Sequence, residues 1–168
     1  MANLSELTTF KEELLRRIVM NPRVMQAVVN KEEDCFSKPV QKPGLYLYKN
    51  IFPYKWTVDE TLENKETFIT MDFANFSLVN SHYKDFSMAL YVFTHKELML
   101  ISDGGHRKLR VDFIIEELDT MLNNARGFGI GKLQFGGLSS TSVTNDIMGS
   151  VIAYNTIDFN DSLTKGNE

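Results

Sequence analysis

A single cysteine, Cys35, is too little for an intrachain disulfide or a multi-cysteine zinc site, so neither can hold this 168-residue chain together. The thiol reads as a partly buried small apolar group. Positive charge is also short. Lys and Arg number 18 against 22 Asp and Glu, a formal net charge of -4, and that balance argues against a surface built to grip nucleic-acid phosphates. No apolar run is long enough to cross a bilayer. The start, Met1-Ala-Asn-Leu-Ser-Glu6, has neither the basic nor the apolar region of a secretory signal. These absences predict a protein made and kept in the cytosol, or in something assembled there, with no membrane partner. No internal repeat is present.

What remains is ample for one folded unit. Hydrophobic residues make up 43% of the chain and charged residues 24%, with clear periodicity, which fits a single globular domain and excludes a disordered one. Thr9-Phe-Lys-Glu12 has the form of a capping box, and Phe10, Leu14, Leu15 and Ile18 follow at helical spacing. Asn21-Pro22 pairs a good N-cap with a residue pre-set for the first helical position, so a second helix follows, with Val24, Met25, Val28 and Val29 on its apolar face. Two tandem helices are therefore expected over residues 9–30. Lys31 to Asp34 is a solvated charge run. Gly44 to Tyr54 reads as an irregular aromatic strand stopped by Pro53, and residues 59–65 as a polar loop.

Glu66 to Phe73 is rich in β-formers. In Asp85 to His95, Phe86, Met88, Leu90, Val92 and Thr94 alternate with Ser87, Ala89, Tyr91, Phe93 and His95. Both faces are fairly apolar, so this strand is expected to be central, or flanked by a partner subunit. Asp103-Gly-Gly105 breaks the chain before a long amphipathic helix, Arg107 to Asn124, whose stripe is Leu109, Phe113, Leu118 and Leu122, with Ile114, Ile115 and Met121 beside it. Two last strands, near residues 130–135 and 151–159, enclose a polar loop from Gly136 to Asp146. The expected fold is α+β: one domain over residues 1–168 with flexible ends at 1–8 and 160–168, its mostly antiparallel sheet flanked by N-terminal helices and crossed by one long helix.

The candidate chemistry is thin. Gly127-Phe-Gly-Ile-Gly-Lys132 has the look of a phosphate cradle, but a P-loop follows a strand, opens a helix and carries Ser or Thr after its Lys; here the glycines end a helix and Leu133 follows. His95, Asp103, His106 and Asp112 are the ligand types a divalent ion takes, and they define the enzyme alternative, a metal-dependent hydrolase or nuclease. Glu116, Glu117 and Asp119 read as the solvated face of the helix rather than as converging acids. No nucleophile-elbow motif occurs. Arg107, Lys108 and Arg110 sit where a helix dipole disfavours cations. Either Asp112 and Glu116 pair with them inside the helix, or an acidic neighbouring subunit does. A third alternative is a ligand-binding or toxin/immunity-type domain.

Leu109-Arg-Val-Asp-Phe-Ile-Ile-Glu-Glu-Leu-Asp119, Phe128-Gly-Ile-Gly-Lys-Leu133, Met148-Gly-Ser-Val-Ile-Ala-Tyr154 and Ile157-Asp-Phe159 together resemble the neck proteins of tailed phages, the tail-terminator or tail-to-head joining family also found in tail-like particles. Tyr48-Lys-Asn-Ile-Phe-Pro-Tyr54 and Phe93-Thr-His95 carry the resemblance upstream. It implies a sheet flanked by helices and assembled as a hexameric ring of identical copies. The ring would cap the tail tube, face the head-side connector or stopper protein, and let DNA pass without specific binding. It brings no catalytic residue, cofactor or metal, and implies a place in the virion neck after assembly in the host cytoplasm. A head-closure or adaptor protein of the same neck is the neighbouring alternative. On this reading Arg107, Arg110, Leu138, Val143 and Ile147 are the candidate subunit or partner contacts, with the 136–146 loop becoming ordered on assembly.

Overall fold

The computed structural model describes residues 4–57, 65–80, 83–126 and 132–159, and in it the first helix begins earlier than its sequence suggests. Helix α1 spans Leu4–Met20, so Leu4 to Thr8 are helical rather than a flexible end. Thr9 is not a cap. Its hydroxyl donates to the Ser5 carbonyl one turn back, at 3.0 Å. Phe10, Leu14 and Ile18 are fully buried on one stripe, as their spacing requires. Helix α2 spans Pro22–Val29 and starts as expected: the Asn21 side chain accepts from the backbone N–H groups of Arg23 and Val24, both at 3.1 Å, and Pro22 takes the first turn.

The stretch expected to be an aromatic strand is largely turns. A 3-10 turn covers Pro43–Tyr46, and Tyr48 takes a left-handed φ of 63°, which no strand accommodates. Apart from an isolated bridge at Leu47, only Ile51–Phe52 forms a strand, β1, which pairs parallel with Ile69 and Thr70 of β2. Strands β2 (Thr67–Asn80) and β3 (Tyr83–His95) form a long antiparallel pair. A separate hairpin follows: β4 (Leu100–Asp103) and β5 (His106–Leu109) joined by Gly104 and Gly105 at φ 57° and 85°. Positive φ at both positions is the two-residue turn that matches strand twist. Helix α3 therefore begins at Arg110, not Arg107, and runs Arg110–Leu122. Leu109 belongs to β5 and lies 49% exposed instead of joining the helix stripe.

Strands β6 (Gln134–Ser142) and β7 (Ile147–Phe159) close the chain as a hairpin. The polar segment from Gly136 is thus mostly strand: Ser, Thr and Gly pair with β7, and only residues 143–146 turn. That turn is tied down, because Lys96 N–H donates to the Asp146 carbonyl at 2.7 Å and the Thr144 hydroxyl accepts from the N–H groups of Asp146 and Ile147. The glycines at 127–131 and residues 59–64 of the expected polar loop lie outside the described residues, as do residues 160–168.

The main sheet has the order β1-β2-β3-β7-β6, antiparallel except at β1, and β3 is its central strand. The molecule is the α+β domain expected: among the described residues, three α-helices pack on a mostly antiparallel sheet. Register sorts the two faces. Met71, Leu90 and Ile152 lie side by side across β2, β3 and β7 and are buried with the helix side chains. The next row, Asp72, Ala89 and Ala153, faces the other way. Phe10 meets Phe86 edge-to-face at 4.8 Å, fixing α1 to the sheet. The Tyr154 hydroxyl donates to the Asp119 carboxylate at 2.7 Å and fixes α3, so Asp119 is a packing contact rather than part of a solvated face.

β7 approaches β3 most closely at Gly149. A side chain there would run into the Val92 carbonyl, whose carbon is 2.8 Å from the Cβ position, with the Phe93 Cα at 3.0 Å. Both neighbours are backbone and cannot swing aside. Gly149→Ala is therefore expected to cost about 1–3 kcal/mol of stability, read as a lower urea midpoint at unchanged slope. An unchanged midpoint would show that the two strands can part without loss.

Candidate functional site

The cluster that suggested a metal does not assemble. His95 ends β3, where its Nδ1 accepts from the Glu97 N–H at 3.2 Å and caps a short 3-10 turn. Asp103 ends β4, and its carboxylate is engaged by Arg23 at 2.7 Å and Lys108 at 3.6 Å. His106 sits opposite Asp103 in the hairpin and is exposed, and Asp112 is exposed in the first turn of α3. Among the described residues no group of three or more His, Cys, Asp or Glu side chains is placed to hold a metal ion. The hairpin is the cause: it gives Asp103 to Arg23 and turns His106 to solvent.

Arg110, expected at a subunit contact, is fully buried in its own chain. Its backbone N–H donates to the Met99 carbonyl at 2.7 Å. Its guanidinium carries five N–H donors in a rigid fork, and these reach five carbonyls: Leu98 from Nε at 2.6 Å, Ala27 and Asn30 from Nη1 at 2.5 and 2.7 Å, and Lys31 and Glu32 from Nη2 at 3.3 and 3.1 Å. Four of these lie at or just past the end of α2, where carbonyls lack helical partners and the helix dipole is negative. Burial pushes the guanidinium below its ordinary pKa, offset in part by Cys35 and Glu32. Cys35 is buried as a free thiol, and burial raises its pKa. Arg107 is exposed and meets Glu33 at 3.5 Å.

The remaining three candidates flank the β6–β7 hairpin. Val143 and Ile147 are half-buried against a second aromatic cluster, Phe52, Phe68 and Phe93, on the face away from the helices. Trp56 stacks on Phe52 at 4.3 Å, and a cavity of about 160 Å³ opens between Trp56, Thr70, Tyr91, Phe93 and Val143. Leu138 is 56% exposed on β6, and Phe135, which the sequence did not single out, is 50% exposed on the same strand. In register they oppose Ile152 and Tyr154, both buried under the helices. Their side of the sheet is therefore the helix side, but the helix layer stops short of β6. The signal for Phe135 was present: an aromatic directly before Gly136-Gly137 in a strand with no charge from Gln134 to Ser142. β6 is an edge strand, and an uncharged edge lacks the usual protection against pairing with another chain.

Among the described residues the site is thus an α+β domain whose buried Arg110 is bound to carbonyls of its own chain and whose β6 edge is left uncovered. The chain belongs to the YomW family, a Bacillus phage-derived protein family whose match runs over residues 21–156. No curated protein and no solved structure matches it.

The two arginines separate cleanly by experiment. Arg110→Met strands five carbonyls and is expected to lower stability by about 3–5 kcal/mol in urea unfolding. Arg107→Ala is expected to stay within about 0.5 kcal/mol of wild type. Equal effects would overturn the capping role.

Proposed function

We propose that the chain is a structural protein of the phage neck, a ring of identical copies that caps the tail tube and joins it to the head-side connector. The observation that carries this reading is an uncharged, half-covered edge strand, β6, in a chain of a phage-derived family. Phe135 and Leu138 keep about half their surface in water, and burying such side chains against a neighbour releases roughly 25 cal/mol for each Å² covered. A closed ring uses that surface and removes an open edge at the same time. The net charge of -4 suits a part that DNA must pass without sticking. The protein works by contact and not by catalysis.

Light scattering of the protein, alone at rising concentration and with the tail-tube protein of the same phage, is expected to give a ring-sized mass. A monomer under both conditions would refute the proposal. His95→Ala with His106→Ala is expected to leave assembly intact; a stoichiometric metal, or hydrolysis lost in this double variant, would favour the enzyme instead.

A further inference from the structure

We infer that the copies join by sheet extension, β6 of one copy pairing antiparallel with the outer edge of β2 of the next. The inference rests on the ring reading above and names its interface. β1 covers only Ile69 and Thr70 of β2, so among the described residues Met71 to Asn80 has no strand on the side away from β3. The two open edges match in length, with nine residues in β6 and the stretch 71–80 in β2. They match in chemistry too. β6 has no charge, and the open part of β2 has one, Asp72, already near Lys55 at 3.8 Å.

Strand direction supports head-to-tail joining. β2 pairs antiparallel with β3, β3 with β7, and β7 with β6, so β2 and β7 run one way and β3 and β6 the other. Copies related by rotation about an axis along the strands keep these directions. β6 then meets the next β2 antiparallel, and the alternation continues from copy to copy. Pairing β6 with a second β6 would stop at two copies and leave both β2 edges open.

The helix layer is offset in the sense this joint needs. Over β2, α1 reaches the edge: Phe10 packs on Phe73 at 5.7 Å, and Lys11 Nζ lies 4.6 Å from the Phe73 ring centre. Over β6, among the described residues, no helix covers Phe135 and Leu138, which face the same side. Placing β2 of one copy beside β6 of the next brings that copy's α1 to the uncovered pair. Apolar cross-strand neighbours on one face are the stabilising unit of such a joint.

The test uses single-cysteine substitutions on the helix-free face, Ser139→Cys or Thr141→Cys in β6 and Ala74→Cys in β2, in the otherwise native chain with its buried Cys35. Each variant is assembled alone and as a β6–β2 mixture, treated with a short bismaleimide, and run on a denaturing gel. The expected result is a species of twice the monomer mass in the mixture and little in either variant alone. Cross-linking of a β6 variant with itself, or an assembled ring that cross-links in no combination, would overturn edge pairing but leave the ring standing. A monomer at every concentration, alone and with the tail-tube protein, would overturn both. As a second measurement, Leu138→Lys with Ser140→Lys is expected to weaken self-association at least tenfold while circular dichroism and melting stay near wild type; undiminished association of this folded variant would overturn the joint.

Discussion

The fold depends on one buried cation. Arg110 gathers the end of α2, the connection at Lys31 and Glu32, and the carbonyl of Leu98 around one guanidinium, while its own backbone N–H holds Met99. An isolated buried charge costs several kcal/mol. Here the cost is offset because every donor finds a carbonyl, and most of those carbonyls sit at the negative end of a helix. The same contacts set where α3 starts and how it lies relative to α2. Once α3 is placed, Tyr154 and Asp119 lock it over β7.

That placement has a consequence at the far side of the sheet. The helices pack over β2, β3 and β7, with Phe10, Leu90 and Ile152 in one core. Among the described residues nothing of that layer covers Phe135 and Leu138, so an edge strand with ordinary β-sheet chemistry is left with apolar surface in water. The opposite face carries its own aromatic cluster near the β6–β7 turn, where Val143 and Ile147 join Phe52, Phe68 and Phe93. The turn is anchored there and by Lys96, which pairs with Asp146 at 2.5 Å and holds its carboxylate below the ordinary range. The hairpin therefore presents β6 as a formed strand rather than as a loop awaiting a partner.

Much of this was legible in the residues. Alternation alone marked Phe86 to Thr94 as a central strand, because both faces are apolar and only a strand with neighbours can use both. Asn21-Pro22 announced α2 through local capping geometry. The tandem helices, the α+β class and the final hairpin strand followed from periodicity of the same local kind. The Thr9 capping box misled because the same residue types also fit inside a helix, where a threonine hydroxyl bonds one turn back. Asp103-Gly-Gly-His106 was a hairpin signal taken for a simple break, and that error moved the start of α3 back to Arg107.

What the sequence determined by itself was the set of elements whose signals are local: helices with caps, strands with alternation, a chain with a core and no disulfide. Tertiary structure alone decided the fate of the charged and polar residues. Arg107 and Arg110 are near-neighbours of one type, yet one meets water and Glu33 while the other is sealed among carbonyls from the end of α2 and from Leu98. The polar run after Phe135 became a strand because β7 offered it a ladder. His95 caps the turn that follows it, Asp103 pairs with Arg23, and His106 and Asp112 are turned to solvent, so the four do not converge. A polar group's place is set by which partners the fold brings to it, and the partners of Arg110 and Asp103, at residues 27–32 and Arg23, are distant in the chain.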